Sequence, residues 1–511
     1  MRHRTSLAIG LLALLVAGPA AANGRFPTAQ HVVLGAGAAS GTVLLRTTFG
    51  LVVSDDGAAT FRYLCEDALG YPGGSFDPPV SLTTDGSIAV GLYNGAVTVA
   101  PDRCSFPRTA TLEGQFIADL DSDPTGRIVV ACTATGFTDD LNHVFRSEDS
   151  GATFLRLGPG VKGTLFETVE LAATRDTRLY ATALQLTPRR VIVYRSDDGG
   201  ATLVDLSSFP QGDSLGAFVS AVDPLDPDVV YVRVLVGSAA ADGGSARVTA
   251  LLRSRDAGAT WAELVRSKGE MLGFAISGDG KTLWYGGPDD GLVRSTDRGA
   301  TWTHLGDARV QCLRWGAGRL YVCGQNERDH FALADSCDDG ATLHPLLGFS
   351  SIAGVFTCPA SSPEASQCPT RFATVQALFP AGDLPLEPLC TTSLDAGPPD
   401  ALPDVRVDAP RDTALADVAI EDVVDARSAD AGGALDSRPD DTAFGDSGGA
   451  DAGATEGAAA GCGCSLPASC DDGAAGASLA IAAVALIAAG RRVSMRGVDP
   501  GGGSRRRESD A

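Results

Sequence analysis

One eight-residue pattern, Ser-x-Asp-x-Gly-x-Thr followed by an aromatic or large apolar residue, recurs along most of this 511-residue chain. It is clearest from Ser147 to Phe154, Ser254 to Trp261 and Ser295 to Trp302, with looser copies starting at Ser54, Ser196 and Ser336. The interval between Ser54 and Ser147 is about twice the others, and Ala100-Pro101-Asp102-Arg103-Cys104-Ser105-Phe106 fills it with a shortened copy. Seven copies then lie 46, 47, 49, 58, 41 and 41 residues apart. Units of this length bury their apolar faces on one another rather than alone. Each unit holds four short apolar runs separated by Gly/Asp turns; in the sixth they are 273–276, 281–285, 291–294 and 301–305. Four strands per repeat describe a propeller blade. The expected fold is all-β, a seven-bladed β-propeller over residues 23–390. Two apolar runs after the last copy, 351–357 and 372–379, read as strands that close the ring or begin an eighth blade.

The pattern has a physical logic. Its Asp can accept hydrogen bonds from turn amides, its Gly takes a backbone conformation that a β-carbon opposes, and its aromatic packs between sheets. It resembles the Asp-box, or bacterial neuraminidase repeat, of sialidases, sortilin-type receptors, some glycanases and photosystem assembly factors. The resemblance implies a propeller and a structural role for Asp56, Asp102, Asp149, Asp198, Asp256, Asp297 and Asp338. Ala58 at the Gly position, and Leu203 and Leu343 at the aromatic one, predict weaker turns or looser packing. Sialidases also use three Arg, a Tyr–Glu pair and an Asp acid, the first Arg lying in an aromatic-Arg-Ile-Pro element. Here that region reads Gly24-Arg25-Phe26-Pro27, with the order changed and no Ile. No catalytic residue is assigned.

The two ends give an address. Arg2, His3 and Arg4 precede an apolar stretch, then Gly18-Pro19 and Ala20-Ala21-Ala22, which reads as a signal peptide over residues 1–22. Residues 473–490, bounded by Gly473 and Gly490, are uncharged and apolar, long enough as a helix to cross a bilayer, and Arg491-Arg492 follow. Cys462-Gly463-Cys464 precede this span. A Cys-Gly-Cys element, a short apolar helix and an Arg cluster in that order look like the MYXO-CTERM surface-sorting tail of myxobacterial exported proteins, which implies Cys462 or Cys464 as the modified residue within 462–511. Residues 391–461 carry 16 acids and 4 Arg, about half of the net charge of −23, and read as a disordered acidic stalk.

The remaining motifs are mostly turns. Asp119-Leu120-Asp121-Ser122-Asp123 lacks the Gly and Glu of a calcium loop and reads as a turn between a blade's first two strands. Residues 35–41 have the wrong Gly spacing for a dinucleotide loop, and the six His show no ligand spacing, so no metal or cofactor is indicated. The folded part, with 42 acids and 28 basic groups, has no phosphate-binding excess, which argues against nucleic acid. Export permits disulfides; Cys65 with Cys104 and Cys358 with Cys368 are the expected pairs, one of nine body cysteines staying odd. The expected function is a surface-anchored binding or scaffolding module of unknown protein or glycan ligand. The competing class is a carbohydrate-active hydrolase, marked by carboxylates with a Tyr or Arg cluster on the channel floor. Contact loops are expected near 136–142, 237–245 and 325–330.

Overall fold

The computed structural model describes residues 26–390 except 72–75, 137–140, 207–208, 211–213, 240–244 and 380–384. The signal-like N-terminus, the acidic stretch, Cys462, Cys464 and the apolar segment 473–490 lie outside the described residues. No helix among the described residues is long and apolar enough to cross a membrane.

Seven antiparallel sheets form blades at residues 29–64, 80–99, 117–162, 164–205, 214–266, 273–306 and 312–347. Their middle strands are mostly buried, and Gly50–Ser54, Val129–Thr133 and Leu283–Gly287 are buried at every position, because a neighbouring blade covers each face. Outer strands such as Leu155–Lys162 are largely exposed. Each blade's first strand touches the first strand of the next all the way round, Cys312–Gly316 of blade 7 meeting Ala29–Leu34 of blade 1. These strands therefore enclose an axial channel. Seven apolar clusters fill the fold, one at each blade interface.

The recurring turn joins the third and fourth strands. In blade 5, Ser254 Oγ donates to Asp256 (2.8 Å) and accepts from Gly258 N (2.8 Å), while Asp256 accepts from Thr260 N (2.8 Å) and Thr260 Oγ1 (2.6 Å). The fourth and fifth positions are both left-handed: Ala257 and Gly258 here, Arg298 and Gly299 in blade 6. The Ala58 turn is not broken by its methyl group. Ala58 sits at φ 66° and still donates to Ser54 Oγ at 3.0 Å. Blade 2, with the shortened copy, is three-stranded; Asp102 accepts from Cys104 N at 2.9 Å, and the fourth strand shrinks to one bridge between Val97 and Arg108. Pro101 and Pro107 remove ladder donors there.

The ring is closed by a C-terminal strap, and here the structure corrects the sequence reading. The run at 372–379 is not a strand: a helix spans Pro363–Gln376, started by Pro363 at its first turn and by Ser362, whose side chain accepts from Ala365 N. Residues 351–357 contribute only a parallel bridge from Val355 to Tyr63, the edge strand of blade 1. There is no eighth blade among the described residues. The strap then returns to blade 7, where His344 Nδ1 meets Glu387 at 2.7 Å and Cys390 N donates to buried Asp335 at 3.0 Å. The four cysteines expected to pair within neighbouring stretches pair crosswise, Cys65 with Cys368 and Cys104 with Cys358, because the strap crosses onto blades 1 and 2. Cys312–Cys323 and Cys337–Cys390 complete the set, and Cys132 is a buried free thiol.

Candidate functional site

A first strand bonds to its own blade on one side only, so its other edge presents unpaired amides toward the axis. Side chains from the preceding blade cap some of them. Asp119 accepts from Val169 N (3.0 Å) and Asp121 from Leu171 N (2.7 Å), tying blade 3 to blade 4. Glu167 accepts from Ala217 N (3.0 Å) and Thr168 Oγ1 from Val219 N (2.9 Å), tying blade 4 to blade 5. Arg233 of blade 5 donates to the carbonyls of Met271 and Leu272 at the start of blade 6, both at 2.8 Å. Asp119 and Asp121 are thus strand residues, and the turn expected of them begins only at Asp123.

Burial among so many inner strands pushes these carboxyls up, Asp119 and Glu167 to about 7 and Asp121 to about 6, against the pull of their amide donors. Four lining groups have no partner of their own among the described residues. Glu170, half-buried on the first strand of blade 4, is raised by burial and by the charge of Asp121, with Arg314 opposing. His31 on blade 1 and Arg314 on blade 7 are exposed to the channel, and Arg46 stands opposite His31 in the strand register. Although its surface is open to the channel, His31 is enclosed by the ring of first strands, and that desolvation, with Arg46, Arg314 and Arg233, holds it well below the ordinary histidine range, so its imidazole is neutral. Glu170 and Asp121 feel Arg314 from across the channel, and Asp119 feels Arg46. An acidic arc on blades 3 and 4 therefore faces a basic arc at the seam of blades 7 and 1.

The seven pattern Asp residues lie at turns, away from this channel. Of the three loops expected to form a contact surface, two contain stretches outside the described residues, 137–140 and 240–244, and 325–330 holds a short helix, Asn326–Asp329. Among the described residues one group of three could hold a metal, Cys65, Glu364 and Cys368, and its sulfurs are already joined as a disulfide. A surface groove between blades 3 and 4, lined by Arg146, Asp149, Leu155, Leu157 and Asp198, takes its polar groups from the recurring turns.

The sequence reading missed an interblade latch. The residue before the pattern Ser is Arg in four consecutive blades: Arg146, Arg195, Arg253 and Arg294. Arg195 donates to Ala257 O of the next blade (2.9 Å), Arg253 to Arg298 O, Arg294 to Asp339 O (3.3 Å) and Arg146 to Asp176 O (2.8 Å). Three of these acceptors occupy the left-handed fourth position of a turn. The signal was visible as a ninth position of the repeat.

Fold and site together define a seven-bladed β-propeller with a charged axial channel. No protein-family profile matches the chain, and no curated protein matches it. Among solved structures it is similar to the GH74 xyloglucanase from Xanthomonas campestris, at 15% identity over 63% of this chain and 64% of that one, with a TM-score of 0.30. The match thus spans just under two thirds of that enzyme. Hydrazine synthase from Kuenenia stuttgartiensis matches at 11% identity over 60% of this chain and 80% of its own, with a TM-score of 0.37. A chain of a nidogen/laminin complex matches at 13% identity, covering 50% and 91%, with a TM-score of 0.33.

Proposed function

We propose that this chain is an exported propeller, held at a cell surface through its C-terminal segments, that acts by binding a ligand in the axial channel. The observation that supports binding over turnover is how the channel uses its acids. Asp119, Asp121 and Glu167 each accept a backbone amide of the next blade, so they serve to hold the ring. Export is supported by four disulfides among the described residues, a pattern suited to an oxidising compartment. In this reading residues 1–22 direct export, 391–461 form the stalk, and Cys462 or Cys464 carries the surface attachment.

A glycan and polysaccharide array probed with the exported chain, followed by a turnover assay on each hit, tests the reading. Binding without turnover is expected. Turnover would replace binding with the second reading, a carbohydrate-active hydrolase. That reading has one observation in its favour: Glu170, an unpartnered carboxyl with a raised pKa beside Asp121, is suited to a general acid. In that case Glu170→Gln abolishes turnover while retaining binding.

A further inference from the structure

The described propeller pairs most of its buried and half-buried arginines. Arg103 meets Asp55 at 2.7 Å, Arg178 meets Asp197 at 2.6 Å and Arg190 meets Asp205 at 2.6 Å, and the latch arginines hold carbonyls. Arg314 and Arg46 differ. They lie on adjoining blades at the same seam, each without a hydrogen bond or ion pair among the described residues, and Arg46 Nε is buried with no partner. Both guanidinium groups act on His31, and no acid among the described residues meets either one: Asp119, Asp121 and Glu167 hold backbone amides, and Glu170 pairs with no basic group. His31 stands between these arginines in the sheet order, exposed to the channel and neutral, with an N–H free to donate.

We propose that Arg314, Arg46 and His31 form the binding site for an oxyanion, a carboxylate, sulfate or phosphate, carried by the ligand that enters the channel. This deepens the reading of the channel as the ligand site and rests on it. A planar guanidinium fork matches two oxygens of such a group, and the neutral imidazole adds a directed hydrogen bond without a third like charge. A chelated cation has no counterpart here: among the described residues no three carboxylate or imidazole groups bring ligand atoms together in the channel.

Isothermal titration of the full exported chain with inorganic sulfate, inorganic phosphate, an oligogalacturonate and a neutral cello-oligosaccharide tests the site. The expected result is 1:1 binding of at least one oxyanion probe, weakening as salt rises. Arg314→Gln lowers that affinity about tenfold or more, and Arg314→Lys recovers part of it. Arg328→Ala, exposed on the short helix Asn326–Asp329, leaves it unchanged. Because Arg314 is exposed, its variants keep the parent's unfolding midpoint, and an equal midpoint separates lost binding from lost folding. Failure of every oxyanion probe to bind, or binding indifferent to Arg314→Gln and His31→Ala, overturns the proposal. Binding of the neutral oligosaccharide that Glu170→Gln abolishes and Arg314→Gln spares overturns the oxyanion site while leaving the channel reading intact. Binding indifferent to all of these substitutions overturns both.

Discussion

At the scale of single residues, the recurring Ser does as much as the Asp beside it. Ser254 is buried, and its hydroxyl is the acceptor for Gly258 N at the left-handed fifth position. Ser254→Ala removes that buried hydrogen bond, and the bond from Ser254 to Asp256 with it, and should cost about 1 kcal/mol or more in denaturant unfolding. Thr260 also bonds Asp256, but from an exposed site where water can replace the bond, so Thr260→Val should cost less. Carboxylates at two kinds of site give opposite pH dependences. The carboxyls of Asp56, Asp149, Asp198, Asp256, Asp297 and Asp338 have lowered pKa values, Asp297 to about 2 through hydrogen bonds from Thr301 and Ser295. Their stabilisation is present above the unfolded value near 3.8 and is lost as pH falls through the folded one. Asp119, Asp121 and Glu167 have raised values, so the folded state holds protons that the unfolded chain has released. Their stabilisation is present at low pH and is lost as pH rises from about 4 to about 7. Urea midpoints measured from pH 3 to 9 should therefore peak on the acid side of neutrality, and a midpoint that climbs steadily to pH 8 would contradict the channel assignment.

At the scale of elements, blades are joined by side chains that reach across, and the strap joins the first two to the last. The turns could be read from the chain because each is local, eight residues whose hydrogen bonds span at most four positions. The strap could not. Phe372 and Phe379 look strand-like, yet Ser362-Pro363-Glu364 ten residues earlier starts a helix that carries past Phe372, and those capping residues outweigh the apolar run. Cysteine pairing was misread for a related reason, since neighbours in sequence are not neighbours when a segment crosses to another blade. Peptide mapping without reductant should find Cys65–Cys368, Cys104–Cys358, Cys312–Cys323 and Cys337–Cys390, with Cys132 unpaired. With Cys104–Cys358 in place, the Cys65–Cys368 link closes a further loop of about 50 residues, and in the chain-entropy picture replacing both cysteines by Ala should cost about 4 kcal/mol.

At the scale of the whole molecule, closure is a packing problem at one seam. Six blade interfaces join blades consecutive in sequence, whereas the seventh joins the two ends of the ring. It carries extra aromatic packing: Phe49 meets Phe349 at 5.1 Å and Phe379 at 5.3 Å, and Tyr63 meets Phe372 at 5.6 Å. Phe49→Ala should cost about 3–5 kcal/mol, more than a similar truncation at an outer strand, and calorimetry would show the difference. The same seam carries Arg314, His31 and Arg46, so the place where the ring is sealed is also where its channel keeps unpaired donors.

The sequence by itself determined what is periodic and local: seven units, the turn chemistry of each, the four strands of the sixth to within two residues, and the sealing role of the segment after the last repeat as one of two choices. The tertiary structure alone decided what depends on contacts between distant residues. It brought Cys65 to Cys368, aimed Asp119 and Asp121 at the amides of the next blade, and left Arg314 beside His31. A repeat specifies its own hydrogen bonds because both partners lie within one turn, while the channel's chemistry depends on which first strands the ring sets side by side.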